Sequence, residues 1–169
     1  MEVAKNKRQW FAVYTAPRAE KKVRERFLES GIEHYLPVQV VTRKWHDRLK
    51  KIEQPVLTGY IFVHILPDEA KKVLMTYGAI AFVREKAHPV PIPDDQIERL
   101  RFMVDLSDED VEFTASDFPP GTPVRINRGD LVGLVGELVE VKGKFKVVVR
   151  LEGLGCALTT VSASFVERF

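Results

Sequence analysis

Four histidines, one cysteine and one pair of adjacent aspartates are the side chains of this 169-residue sequence with an obvious capacity for catalysis or metal binding. His34, His46, His64 and His88 lie 12, 18 and 24 residues apart, so none makes the i, i+4 pair that presents two imidazoles to zinc from one helix face. His64 falls in an apolar run and reads as a packed or strand-surface residue, and His46 as part of a polar hairpin. Cys156 stands alone, which excludes an internal disulfide and any Cys-x-x-Cys chemistry and suits a reducing compartment. Asp94-Asp95 resembles a carboxylate pair, but capping of a helix N-terminus accounts for both. No phosphate loop, dinucleotide fingerprint or nucleophile elbow is present, and Gly129, Gly133 and Gly136 read as turns. The chain is therefore read as a non-enzyme with no catalytic residue, metal or cofactor.

Charge distribution points instead to binding. The net charge is +2, but residues 1–54 carry 13 basic and 7 acidic side chains, residues 55–115 carry 6 and 11, and residues 116–169 carry 7 and 6. A basic N-terminal third suits contact with a polyanion, and an ordinary solvated surface is the plainer alternative. With no apolar leader and no run of roughly 20 apolar residues, a soluble, cytoplasmic protein is expected.

Strands and helices must position any such surface. Trp10 to Tyr14 predicts a buried first strand. Ala19, Val23 and Phe27 predict a helix ending at Gly31, with Arg18, Lys21, Lys22, Arg24 and Arg26 on its other faces. Ile32 to Trp45 reads as strand, turned back by the basic stretch His46–Lys51. Tyr60 to Ile65 is a strand, Ala70, Val73, Leu74 and Tyr77 give a helical period, Ile80 to Val83 is a strand, and Asp94 opens a helix with the stripe Ile97, Leu100 and Val104. This order predicts an α+β fold with helices on one face of a mainly antiparallel sheet. Residues 105–118 hold six acids and no base and, with Pro119-Pro120-Gly121, read as a solvated linker. Beyond it, Val124–Ile126, Leu138–Val141, Phe145–Leu151 and Leu158–Val161 alternate as short strands of a small β-barrel. Phe145, Val147 and Val149 are expected on one face of their strand and Lys144, Lys146 and Arg150 on the other. The expected division is 1–105, linker 106–120 and 121–169.

Four segments in order resemble one family. Trp10-Phe11-Ala12-Val13-Tyr14-Thr15-Ala16-Pro17-Arg18-Ala19-Glu20-Lys21-Lys22-Val23 is similar to the opening of the NusG N-terminal (NGN) domain, and specifically to the specialised UpxY-type, RfaH-like paralogues. His34-Tyr35-Leu36-Pro37, Gln54 to Val63, and Ala81-Phe82-Val83-Arg84 through Pro91-Ile92-Pro93 follow in the family's order. Val124 to Leu138, with Gly129 and Gly136, resembles a KOW motif. The resemblance implies an NGN domain, a flexible linker and an SH3-like, five-stranded KOW barrel. It further implies a monomer that binds the clamp helices of the largest RNA polymerase subunit, bridges the DNA channel and suppresses pausing and termination.

Carried over by position, the resemblance implies a clamp-binding patch of Tyr14, Tyr35, Tyr60 and Phe82. Burying an aromatic ring contributes roughly 1.5–3 kcal/mol, and such rings anchor interfaces; for each of the four, simple core packing is the alternative. A second polymerase contact is implied at Glu69, Ala70 and Lys71. Contact with the non-template DNA strand, and with nascent RNA, is implied for Arg18, Lys22 and Arg26, with Tyr77 available for stacking. Leu57-Thr58-Gly59-Tyr60 and Gly129-Asp130-Leu131 depart from the common family pattern and point to a diverged paralogue, which leaves KOW contacts with ribosomal protein S10 or Rho open; the resemblance to UpxY-type proteins implies service to one long polysaccharide operon. A general NusG elongation factor is the nearest alternative. An RNA- or ribosome-binding module resting on the Lys144, Lys146 and Arg150 row is another.

Overall fold

The aromatic run near the N-terminus is extended and forms β1 (Gln9–Thr15). The computed structural model describes residues 6–115 and 118–169. After β1 come α1 (Glu20–Ser30), β2 (His34–Tyr35), β3 (Val38–Trp45), β4 (Arg48–Pro55) and β5 (Tyr60–Ile65). A short 3-10 turn (Pro67–Glu69) leads into α2 (Ala70–Leu74), followed by β6 (Ala79–Phe82), β7 (Arg84–Glu85), β8 (His88–Pro89) and α3 (Asp94–Leu106). The remainder is β9 (Val111–Thr114), β10 (Thr122–Ile126), β11 (Val135–Val141), β12 (Lys144–Leu151), β13 (Gly155–Thr160) and β14 (Val166–Arg168). Two compact units result, one of Met1–Leu36, Leu57–Ile97 and Leu151–Gly155, the other of Pro37–Val56, Glu98–Arg150 and Cys156–Phe169. This grouping differs from a cut at residue 105, because the β3–β4 hairpin falls in the second unit.

The first unit is built on a four-stranded sheet in the order β2-β5-β1-β6. Val13, Ile61, Val63 and Ile65 are almost fully buried, as are Val23 and Phe27 of α1 and Val73 of α2. Phe27 packs against His34, with ring centroids 6.0 Å apart. His34 sits opposite Val63, so α1 covers the sheet face that carries Val63. As expected, α1 ends at Gly31 in the left-handed region. At its other end Glu20 is buried, and its carboxylate accepts the N–H of Gly59 at 2.8 Å. Gly59 has φ of 85°, a conformation open to glycine at little cost, and this turn delivers the chain into β5.

Local geometry departs from the expected elements in several places. Ile32–Trp45 is not one strand: β2 joins the four-stranded sheet, the chain breaks at Leu36-Pro37, and β3 pairs only with β4. Pro37 has no N–H to offer a ladder at that point. The turn of that hairpin is only His46-Asp47, with Trp45 opposite Arg48, so pairing runs on through Lys51. α2 is a five-residue helix that stops before Tyr77, and Gly78, at φ of 98°, then turns the chain into β6. In α3, Asp94 and Asp95 occupy the first turn as expected, but the buried stripe is Ile97, Leu100 and Met103, with Val104 half-buried.

The second unit holds a six-stranded sheet in the order β14-β10-β11-β12-β13-β9. Five of these strands follow residue 121, and Leu138 lies opposite Val147 in the interior. The sixth corrects the reading of residues 105–118 as solvated linker. β9 pairs antiparallel with β13, from Val111↔Thr159 to Cys156↔Thr114, although Ser116 and Asp117 lie outside the described residues. Gln39 of β3 bonds Val111 from the other side, with its amide donating to the carbonyl and accepting from the N–H, both at 3.1 Å. The expected alternation in β12 is also incomplete. Val148 shares a face with Lys146 and Arg150 yet is buried with Cys156 and Leu158, and Phe118 and Val139 pack onto that cluster.

Arg150 fastens this region. It donates to Glu137 at 2.5 Å and to the carbonyls of Phe118 and Pro119 at 2.9 and 3.1 Å, while Glu137 also accepts the Gly121 N–H at 2.8 Å. Burial alone would raise the Glu137 carboxyl, but the Arg150 and Gly121 hydrogen bonds and the Arg150 charge outweigh it and hold the group below its ordinary value. A carboxylate lowered in the folded state stabilises fully above its unfolded pKa and loses that contribution as pH falls through the folded one. Melting temperature measured from pH 7 downward is expected to drop through the acid range in the wild type. Glu137→Gln is expected to start less stable and to flatten that drop.

Candidate functional site

In an antiparallel sheet, residues directly opposite each other share a face, and neighbours along a strand alternate. β1 and β5 pair with Trp10 opposite His64, Ala12 opposite Phe62, and Tyr14 opposite Tyr60, and Tyr35 of β2 lies opposite Phe62. These residues form one aromatic row on the face turned away from α1. Trp10 stacks on His64 at 4.7 Å, Tyr35 on Phe62 at 6.2 Å, and the Tyr14 and Tyr60 rings are 5.1 Å apart. Glu33 holds the His64 ring through Nδ1. Exposure is concentrated at one end of the row. Phe62 is fully buried and Tyr35 and Tyr60 are half-buried, whereas Tyr14 is 40% exposed.

Phe82 does not belong to this patch. It lies opposite Val13, on the helix-covered face, where it is 3% exposed and meets Phe11 edge-on at 6.0 Å. Its neighbour Ala81 is the residue beside Tyr14. Burial raises the Tyr60 phenol above its ordinary pKa, and the electrostatic effect and hydrogen bond of Tyr14 add to the shift. The raised value keeps the Tyr60 phenol protonated at neutral pH, beside the exposed Tyr14 ring.

Of the expected nucleic-acid and second polymerase residues, Arg26, Tyr77 and Lys71 meet on another surface of the same unit. An open groove of about 710 Å³ is lined by Arg26, Glu29, Asp68, Lys71, Lys72 and Tyr77, among others. Arg26 donates to the Tyr77 carbonyl at 2.7 Å and lies over its ring, 5.0 Å from the centroid. Tyr77 itself is 82% exposed. Gly78 permits this approach, because a Cβ there would lie 2.7 Å from the Val23 side chain. Lys22 is exposed on α1, but Arg18 precedes that helix, in the left-handed region at φ of 59°. Glu69 has structural partners, since its carboxylate accepts from Arg8 at 2.6 Å and from the Leu66 N–H at 3.0 Å. Ala70 opens α2, and Lys71 projects from it, exposed. The adjacency of Lys71 and Lys72 to Arg26 has no counterpart in sequence spacing.

The basic row proposed for RNA is largely engaged within the second unit. Lys146 pairs with Glu112 at 3.0 Å, and Arg150 is held by Glu137 and two backbone carbonyls. Among the described residues, no group of three or more His, Cys, Asp and Glu side chains is placed to hold a metal, and no helix is long and apolar enough to cross a membrane.

A helix-backed antiparallel sheet followed by a small β-rich module of KOW type is the architecture of an NGN–KOW protein. The chain belongs to the NusG family, since residues 8–101 match the family model described as transcription termination factor nusG. It is similar to the transcription termination/antitermination protein NusG of Rickettsia conorii, with 23% identity over 163 residues that span 88% of this chain and 84% of that one. The protein of the same name from Deinococcus radiodurans is 24% identical over 173 residues, spanning 86% and 91% of the two chains. A solved structure concerned with domain interaction in Thermotoga maritima NusG shares the fold, with a TM-score of 0.56 and 20% identity over 98% of this chain and 99% of that one.

The two faces of the sheet make separable demands. Phe82→Ala is expected to lose roughly 3–5 kcal/mol of stability in urea titration, as for a buried ring, while Tyr14→Ala is expected to lose about 1 kcal/mol or less, as for a partly exposed one.

Proposed function

We propose that this protein is a transcription termination/antitermination factor that binds RNA polymerase through the exposed end of its aromatic row. Tyr14 and Tyr60 are the anchors, Tyr35 supports them from β2, and the partner is the clamp-helix pair of the largest subunit. Phe82 acts only from beneath, as core. The observation that carries this reading is the Tyr14–Tyr60 pair, partly exposed at one end of an otherwise buried aromatic row, in a chain of the NusG family. An anchor of this kind gains its energy when the partner removes its remaining surface from water.

Lys22, Arg26, Lys71 and Tyr77, with Arg18 at the helix entry, are proposed to face the non-template strand. Cations there hold phosphates without reading sequence, and Tyr77 offers a ring to an unstacked base. In this reading Lys71 serves nucleic acid, while Glu69 and Ala70 set the start of α2. An NGN domain of residues 1–105 and a KOW domain of residues 121–169 would be joined through the acidic stretch 106–120, whose β9 strand adds to the second unit's sheet.

Departures at Leu57-Thr58 and Gly129-Asp130 support a specialised paralogue of the UpxY type acting on one long operon. A general elongation factor is the second reading, favoured by the name shared by both curated relatives. Transcript sequencing after deletion separates them: one long operon changes for a specialised factor, many genes for a general one. For the docking surface, titration with purified polymerase is expected to show a loss of affinity of about tenfold or more for Tyr14→Ala and for Tyr60→Ala in folded protein. Unchanged affinity in both variants would remove the patch.

A further inference from the structure

The β3–β4 hairpin contains ten consecutive exposed residues, 42–51. A two-stranded ribbon that buries neither face gains little from folding, so its side chains are free to serve a partner. This stretch carries five basic residues and one acid. Register sorts them: Arg43 lies opposite Lys50 and Trp45 opposite Arg48, all four on one face. Like charges set directly across a strand pair are destabilising. Gln54 relieves Arg43 by only one long hydrogen bond, at 3.4 Å.

Trp45 is 67% exposed at the turn and touches the His46 ring edge-on, with centroids 5.6 Å apart. A tryptophan that anchors a protein interface is normally ringed by groups that exclude water, and lysine is depleted there. The ribbon face that carries this indole carries Arg43, Arg48 and Lys50 instead. One exposed ring among cations is the combination that takes a base on its face while the charges hold the flanking phosphates.

We propose that the distal β3–β4 ribbon is a single-stranded nucleic-acid site, in which Trp45 stacks on an unpaired base and Arg43, Arg48 and Lys50 hold the backbone. The contact uses none of the residues that line the α1–α2 groove.

The full chain carries a convenient probe, because Trp10 is 8% exposed and Trp45 is the open tryptophan. Titration with an oligothymidylate of about 20 nucleotides, long enough for several contacts, is expected to quench emission. Trp45→Ala should weaken binding roughly fivefold or more and abolish the quench, while Trp45→Phe should restore most of the affinity without the emission change. Removing two charges in Arg48→Gln/Lys50→Gln should lower the slope of log affinity against log salt by about 1.4. Circular dichroism establishes that each variant is folded. The proposal is overturned if Trp45→Ala binds like the wild type, or if only Lys22→Gln/Arg26→Gln reduces affinity. Equal binding of poly-glutamate with the same sensitivity to Trp45→Ala also overturns it, by pointing to an acidic protein.

Discussion

The pairing of Tyr14 with Tyr60 across β1 and β5 is the constraint on which the functional surface depends. Side chains on a strand alternate, so this single register decides which rings lie on the α1 face of the sheet and which on the opposite face. It places Phe11, Val13 and Phe82 against the helix-covered side, and Trp10, Tyr14, Tyr35, Tyr60 and Phe62 on the other. A slip of one residue would exchange the two sets. Glu20 helps hold the register from a distance, because its buried carboxylate captures Gly59, the residue that introduces β5.

The two units solve the problem of polar groups differently. In the first, the side chains with charge lie mainly on the helices and turns, where Arg26 both supports Tyr77 through its carbonyl and covers its ring. In the second, charge is built into the packing: Glu137 and Arg150 together tie residues 118–121 to the sheet. A buffered pair of this kind orders the chain without exposing an attractive basic surface. That arrangement weakens the case for RNA binding by the Lys146 and Arg150 row and moves attention to the hairpin, whose distal cations are exposed.

Periodicity made the fold class legible, because the apolar strands and the α1 stripe leave few ways to bury Val13, Val23, Phe27 and Ile61. What escaped were features set by pairing rather than by period. β9 is short and acidic, and nothing in Val111–Thr114 announces that β13 and Gln39 supply its hydrogen bonds. Tyr77 fits the α2 period on paper, yet the helix stops before it and Gly78 then turns the chain into β6. Phe82 joined the tyrosines through the family resemblance, and register against Val13 separates it. The meeting of Lys71 with Arg26 crosses 45 residues of sequence and has no local signature.

A photoreactive phenylalanine at position 14, compared with one at the exposed Val132 of the β-rich unit, tests the docking face most directly. Irradiation of a complex with purified RNA polymerase is predicted to link position 14 to the clamp helices of the largest subunit and to give much less of that product from position 132. A strong polymerase product from position 132, with none from position 14, would contradict the account.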